Sequence, residues 1–113
     1  MKETIYSIIQ WHAETFPDAT LEGQIEKYVE EQNEYIESDY KDIKELADMF
    51  IVACGVARFD MCEGLYYIAD VFDWFNEDAT ISWDDLFKAV SEKMTVNRQR
   101  TWHKEEGLYK HDK

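Results

Sequence analysis

Two acidic pairs, each with its members three residues apart, are the part of this sequence best suited to chemistry. Glu31 and Glu34 lie in Glu30-Glu31-Gln32-Asn33-Glu34, and Glu45 and Asp48 in Glu45-Leu46-Ala47-Asp48. On a helix, positions i and i+3 project from one face, so each pair can offer two carboxylates to a single hard cation. The first pair has a bland alternative, because a chain with 25 acidic residues produces this spacing by chance, and Glu34 with Glu37 repeats it. The second pair is more telling. Glu45 and Asp48 are the only charged residues from Glu45 up to Arg58 in an otherwise apolar segment. At about 100° per residue Asp48 falls between Ile51 and Val52 on the helical wheel. A carboxylate there is desolvated at a cost of several kcal/mol unless it is paired or bound to metal. Lys44 or Arg58 as an ion partner, or a cap on a neighbouring helix, are the structural alternatives.

Two such pairs on consecutive antiparallel helices bring four carboxylates to one point, a donor set suited to octahedral Mg²⁺ rather than to zinc. His12, His103 and His111 have no zinc-ligand spacing. Four carboxylates exceed the needs of one ion when phosphate oxygens also ligate, which leaves room for two or more ions about 3.5–4 Å apart. Lys93, Asn97, Arg100 and Lys104 follow at spacings of four, three and four, which forms one polar face along a last helix or its continuation. Seven of the 12 basic residues lie from Lys88 onward. Arg100 offers a bidentate fork for phosphate oxygens and Lys93 a point charge; a solvated, charge-balancing tail is the alternative.

The elements that must position these groups are helical. Apolar residues recur at helical spacing almost throughout, and no strand is expected. A first helix is predicted from about Lys2 to Thr15, followed by a turn at Phe16-Pro17-Asp18-Ala19-Thr20 with Thr20 or Asp18 as cap. A second covers Leu21 to Glu37 with Ile25, Tyr28, Val29 and Ile36 facing inward. A third, capped by Ser38 or Asp39, reaches about Phe59 and is apolar nearly all round, hence central. A fourth, Cys62 to Phe75, is aromatic and is expected to pack on a partner element or subunit. Asn76 to Thr80 is read as a loop, and Ser82 with Asp85 resembles a capping box opening a last helix to at least Arg98.

With 113 residues, 45% hydrophobic and only one Pro, the chain reads as a single domain, 1–113. Its net charge of −13 disfavours nucleic acid or an anionic membrane as a general partner, and a polyanionic substrate would need intervening cations. Cys54 and Cys62 read as free thiols in a reducing compartment, and no signal peptide or membrane span is apparent. These features predict a cytoplasmic protein.

In this order, the motifs resemble the MazG-like, all-α NTP pyrophosphatase superfamily, which includes dimeric dUTPases. The family pattern Glu-Glu-x-x-Glu followed by Glu-x-x-Asp is similar to Glu30-Glu31-Gln32-Asn33-Glu34 and Glu45-Leu46-Ala47-Asp48. The later Lys-x-x-x-Asn-x-x-Arg-x-Trp pattern is similar to Lys93, Asn97, Arg100 and Trp102, and Phe16-Pro17-x-Ala19-Thr20 with Gln24 resembles the approach to the first acidic helix. The match runs from about Phe16 to Trp102 and is weakest from Arg58 to Trp83. Only Tyr35 to Lys44 separates Glu34 from Glu45, shorter than the family's usual gap, so the hairpin must turn early.

The resemblance implies an all-α bundle of four to five helices assembled as a homodimer or homotetramer. It also implies Mg²⁺-dependent hydrolysis of a nucleoside triphosphate between the α and β phosphates, with Mn²⁺ as a possible substitute. Glu31, Glu34, Glu45 and Asp48 would hold metal. Glu30 or a ligand carboxylate would accept the water's proton, and Gln24, Lys93, Asn97 and Arg100 would bind substrate. Trp11 and Phe16 could stack on a base, with core packing as their main expected role. Two other readings compete: an inert acidic binding protein or nucleic-acid mimic, and an assembly subunit using the surface from Tyr66 to Phe75.

Overall fold

A computed structural model describes residues 3–39, 42–76, 82–100, 102–105 and 108–111. It contains five helices, α1 (Ile5–Thr15), α2 (Leu21–Glu37), α3 (Ile43–Phe59), α4 (Met61–Asn76) and α5 (Trp83–Gln99). A two-stranded antiparallel hairpin follows, β1 (Trp102–Glu105) with β2 (Leu108–His111), pairing Trp102 with His111 and Glu105 with Leu108. The domain is thus a helical bundle, but the expectation of a chain without strands is corrected at its end. Arg100 already has extended backbone, with φ −76° and ψ 149°. Lys104 therefore sits on β1, not on a continuation of α5. The physical signal lies in the sequence: two runs containing Trp102 and Tyr109 flank Glu106-Gly107, a spacing that favours a tight hairpin.

Each helix start is fixed by a side-chain oxygen accepting from a free backbone N–H, a contribution of about 1 kcal/mol. Thr4 Oγ1 accepts from Ser7 N at 3.0 Å, Thr20 Oγ1 from Gly23 N at 3.0 Å and Ser82 Oγ from Asp85 N at 3.1 Å. The α2–α3 turn differs from expectation. Ser38 closes α2, its hydroxyl donating to Tyr35 O at 2.6 Å, and Asp39 takes a left-handed φ of 63°. Asp42, not Ser38 or Asp39, caps α3 by accepting from Lys44 N at 3.0 Å. A left-handed residue after the last helical turn is the usual way to reverse a chain within few residues, which is what so short a connection demands.

Helix α3 is central, as its composition requires. It packs against α1, α2, α4 and α5, and Leu46, Ala47, Met49, Ala53, Cys54 and Val56 are fully buried along it. Burial pushes the Cys54 thiol up to about 12, so it behaves as a small apolar side chain. Helix α4 lies on α3 where Gly64 meets Ala57; a Cβ on Gly64 would stand 2.3 Å from the Ala57 Cα, so no larger residue fits. On α2 the inward face is Tyr28, Glu31 and Tyr35, while Val29 and Ile36 remain 46% and 37% exposed, against expectation. Tyr28 supplies the reason. Its hydroxyl donates to Asp70 Oδ2 at 2.7 Å, and the same oxygen accepts from Gln32 Nε2 and Trp74 Nε1, each at 3.3 Å, which fixes the rotation of α2 against α4. None of the described helices is long and apolar enough to cross a membrane.

Candidate functional site

The rotation of α2 set by Tyr28 turns Glu31 toward α3, whose first turns carry Glu45 and Asp48. One oxygen from each of these three carboxylates lies within 4.8 Å of the others. Glu34 falls outside that tightest group but stands beside both Glu31 and Glu45 and lines the same cleft. Two of the oxygens, Glu31 Oε2 and Glu45 Oε2, are buried without a hydrogen-bond partner. Leaving a buried polar atom unsatisfied costs about 1–3 kcal/mol, more for a charged one.

Two ammonium groups partly balance the cluster. Lys93 Nζ stands 3.2 Å from Asp48 Oδ2, and Lys27 Nζ 3.5 Å from Glu31 Oε1. The ion partner of Asp48 is therefore Lys93 from α5, neither of the neighbours expected along its own helix. The balance is incomplete: burial raises the Glu31, Glu45 and Asp48 pKa values, and mutual repulsion adds to it. An all-oxygen donor set with orphaned buried atoms and excess negative charge fits a hard divalent cation.

Helix α5 brings the basic side of the site. Lys93, ion-paired with Asp48, lines the cleft together with Asn97 and Arg100. Asn97 is almost fully buried; its Oδ1 accepts from Arg100 Nη1 at 3.3 Å and its backbone oxygen from Trp102 Nε1 at 3.1 Å. These contacts hold the end of α5 and the start of β1 against the cleft. Lys104 does not share that helical face. Glu30 is exposed, pairs at 3.8 Å with Lys27 and does not line the cleft.

The cleft has a volume of about 380 Å³ and extends from the carboxylates to an aromatic end. Trp11, Phe16 and Trp102 meet there edge to face, with ring centroids 5.3 Å apart for Trp11–Phe16, 5.0 Å for Phe16–Trp102 and 6.1 Å for Trp11–Trp102. Trp11 and Phe16 are core residues that also line the cleft, so packing and lining are not exclusive. Gln24, held in the first turn of α2 by Gln24 N donating to Thr20 O at 3.0 Å, lines the same end.

Sequence reasoning missed His12 and Arg58 here. His12 is 4% exposed and lines the cleft, and burial lowers its pKa to about 4. Arg58 Nη1 reaches across from α3 to Phe16 O at 2.8 Å and His12 Nδ1 at 3.1 Å. The available signal was a lone His on an apolar face opposite a lone Arg ending an apolar helix. No protein-family profile, curated protein or solved structure matches this chain.

Proposed function

We propose that the chain is a Mg²⁺-dependent nucleoside triphosphate pyrophosphohydrolase of the MazG-like kind, releasing a nucleoside monophosphate and pyrophosphate. The observation that carries this reading is the convergence of Glu31, Glu45 and Asp48, with Glu34 beside them, in one cleft with Lys93, Asn97 and Arg100. Mg²⁺ or Mn²⁺ held by Glu31, Glu34, Glu45 and Asp48 would polarise phosphate oxygens and lower the pKa of an attacking water.

The chain's own groups do the rest. Arg100 and Lys93 bind phosphate oxygens, and Asn97, anchored from both sides, holds a phosphate or sugar oxygen. Attack of the water oxygen on the α phosphorus breaks its bond to the bridging oxygen, which leaves with the electron pair on pyrophosphate. A carboxylate of the cluster accepts the water's proton. Glu30, outside the cleft, is poorly placed for it.

The exposed face of Met61, Leu65 and Tyr66 on α4 fits assembly as a homodimer or homotetramer. The two free thiols, Cys54 and Cys62, fit a cytoplasmic protein. The test is pyrophosphate release from a panel of ribo- and deoxyribonucleoside triphosphates, with Mg²⁺ and with EDTA, for wild type and Asp48→Asn. The reading requires metal-dependent release that the substitution abolishes while the helical circular dichroism persists. Absence of release from every nucleotide would favour the inert acidic binding protein, whose many exposed carboxylates, rather than these four, would then carry binding.

A further inference from the structure

The face of α2 that borders the cleft runs Gln24, Lys27, Glu31 and Glu34, spaced three, four and three apart. Lys27 therefore stands between the carboxylates and the aromatic end, about one helical turn from Glu31 and from Gln24. It belongs to none of the motifs read from the sequence, and its ammonium is loosely held. Nζ lies 3.5 Å from Glu31 Oε1 and 3.8 Å from Glu30 Oε1, both longer than the roughly 2.7–2.9 Å of a charge-assisted N–H···O bond. The Lys27 side chain keeps 30% exposure, and a pair so placed is exchanged at little cost.

The carboxylate it faces is the reverse case. Glu31 is buried, and its second oxygen, Oε2, has no hydrogen-bond partner. A distant ammonium on one oxygen leaves the other orphaned, a penalty that a close cation removes. Lys93 repeats the arrangement from α5, 3.2 Å from Asp48 Oδ2. Two ammonium groups thus cover, incompletely, two of the carboxylates assigned to metal. In formal charge the four carboxylates of the cleft stand against three cations, Lys27, Lys93 and Arg100, with His12 neutral. On its own residues the cleft is net negative and repels a polyphosphate; with one divalent cation bound it becomes net positive.

We propose that Lys27 is a phosphate-binding residue held in reserve: with Lys93 it serves as a displaceable counterion, released from Glu31 when a divalent cation takes that carboxylate and then free to pair with a phosphate oxygen of the ligand. The proposal rests on the nucleotide reading above. A nucleotide with its phosphates at the carboxylates and its ring among Trp11, Phe16 and Trp102 passes over Lys27. The flexible four-carbon stem lets the ammonium swing from Glu31 to that ligand without a change of backbone. The exchange couples the two binding events in both directions. Metal frees the lysine for phosphate, and phosphate, by holding the lysine, removes its competition for Glu31.

The test sets two affinities of one variant against each other. They are Mn²⁺ binding without nucleotide, by electron paramagnetic resonance, and calorimetric binding of the α,β-methylene triphosphates of adenosine, guanosine, cytidine and uridine with Mg²⁺. Lys27→Met, similar in length but uncharged, is expected to tighten Mn²⁺ binding by about threefold and to weaken binding of the best analogue by about tenfold. Lys27→Arg should recover most of the nucleotide affinity. Lys88→Met, at an exposed position on α5 outside the cleft, should change either affinity by less than about twofold. Mn²⁺ binding that is unchanged or weaker in Lys27→Met, or an unchanged nucleotide affinity, would overturn the proposal and leave the hydrolase reading standing. An equal effect of Lys88→Met would overturn it too, by reducing it to net charge. Failure of wild type to bind any of the four analogues would overturn both.

Discussion

The two ends of the cleft are built on opposite electrostatic plans. At the carboxylate end, Glu31, Glu34, Glu45 and Asp48 outnumber Lys27 and Lys93, two buried oxygens lack partners, and burial drives up the pKa values of Glu31, Glu45 and Asp48. At the aromatic end a single histidine is held neutral, its ring fixed by Arg58 and walled by Trp11 and Phe16. One end holds unbalanced negative charge; the other holds a neutral ring within an aromatic wall. The difference separates a charged region on α2, α3 and α5 from an aromatic one built on α1 and β1.

The largest expected contrast lies within the carboxylate end itself. Glu31→Gln should lower turnover by about a hundredfold or more, whereas Glu30→Gln, outside the cleft, should change it less than about twofold. Steady-state pyrophosphate release checks both, and equal losses would erase the distinction between a cleft carboxylate and a surface one.

The aromatic end should appear as an acid sensitivity. His12 has a folded pKa of about 4 against an ordinary 6.5, so its contribution is complete above 6.5 and lost as pH falls toward 4, up to about 3 kcal/mol. Urea unfolding of wild type and His12→Leu between pH 7 and 4.5 isolates it: only wild type should lose this increment. Gly55→Ala should cost about 1–3 kcal/mol by overpacking, because the new Cβ would strike Gln24 and His12 together; a neutral thermal shift would show that the two side chains are not wedged there.

The carboxylate end has the opposite pH sign. The Glu31, Glu45 and Asp48 pKa values are raised on folding, so in EDTA their contribution is complete below their ordinary values, near 4.5 for Glu, and lost as pH rises into the neutral range. Glu31→Gln should therefore stabilise the metal-free protein at pH 7.5 by about 1 kcal/mol, and Mg²⁺ should stabilise wild type more than the variant. Thermal melts with and without Mg²⁺ measure both effects.

The carboxylate end was legible in the sequence because its residues are local. Glu45 and Asp48 are conspicuous against an apolar helix, and a three-residue spacing places each pair on one face whatever the tertiary arrangement. The aromatic end draws Trp11, His12, Gln24, Gly55, Arg58 and Trp102 from four elements, and no periodicity links them. The inward face of α2 was misjudged for a related reason. Hydrophobicity favours Val29 and Ile36, yet the Tyr28–Asp70 hydrogen bond, long-range in sequence, decides the rotation and buries Glu31 instead. The hairpin at 102–111 escaped because the helical pattern of Lys93, Asn97 and Arg100 extrapolates smoothly to Lys104, while only Glu106-Gly107 argues for a turn.

The central claim is that these four carboxylates form one divalent-cation site, and electron paramagnetic resonance titration of Mn²⁺ tests it without any assumption about substrate. Wild type should bind Mn²⁺ in a saturable manner that Mg²⁺ competes for, and Asp48→Asn should weaken that binding by about tenfold or more. Mn²⁺ binding of the same strength in wild type and Asp48→Asn would contradict the claim.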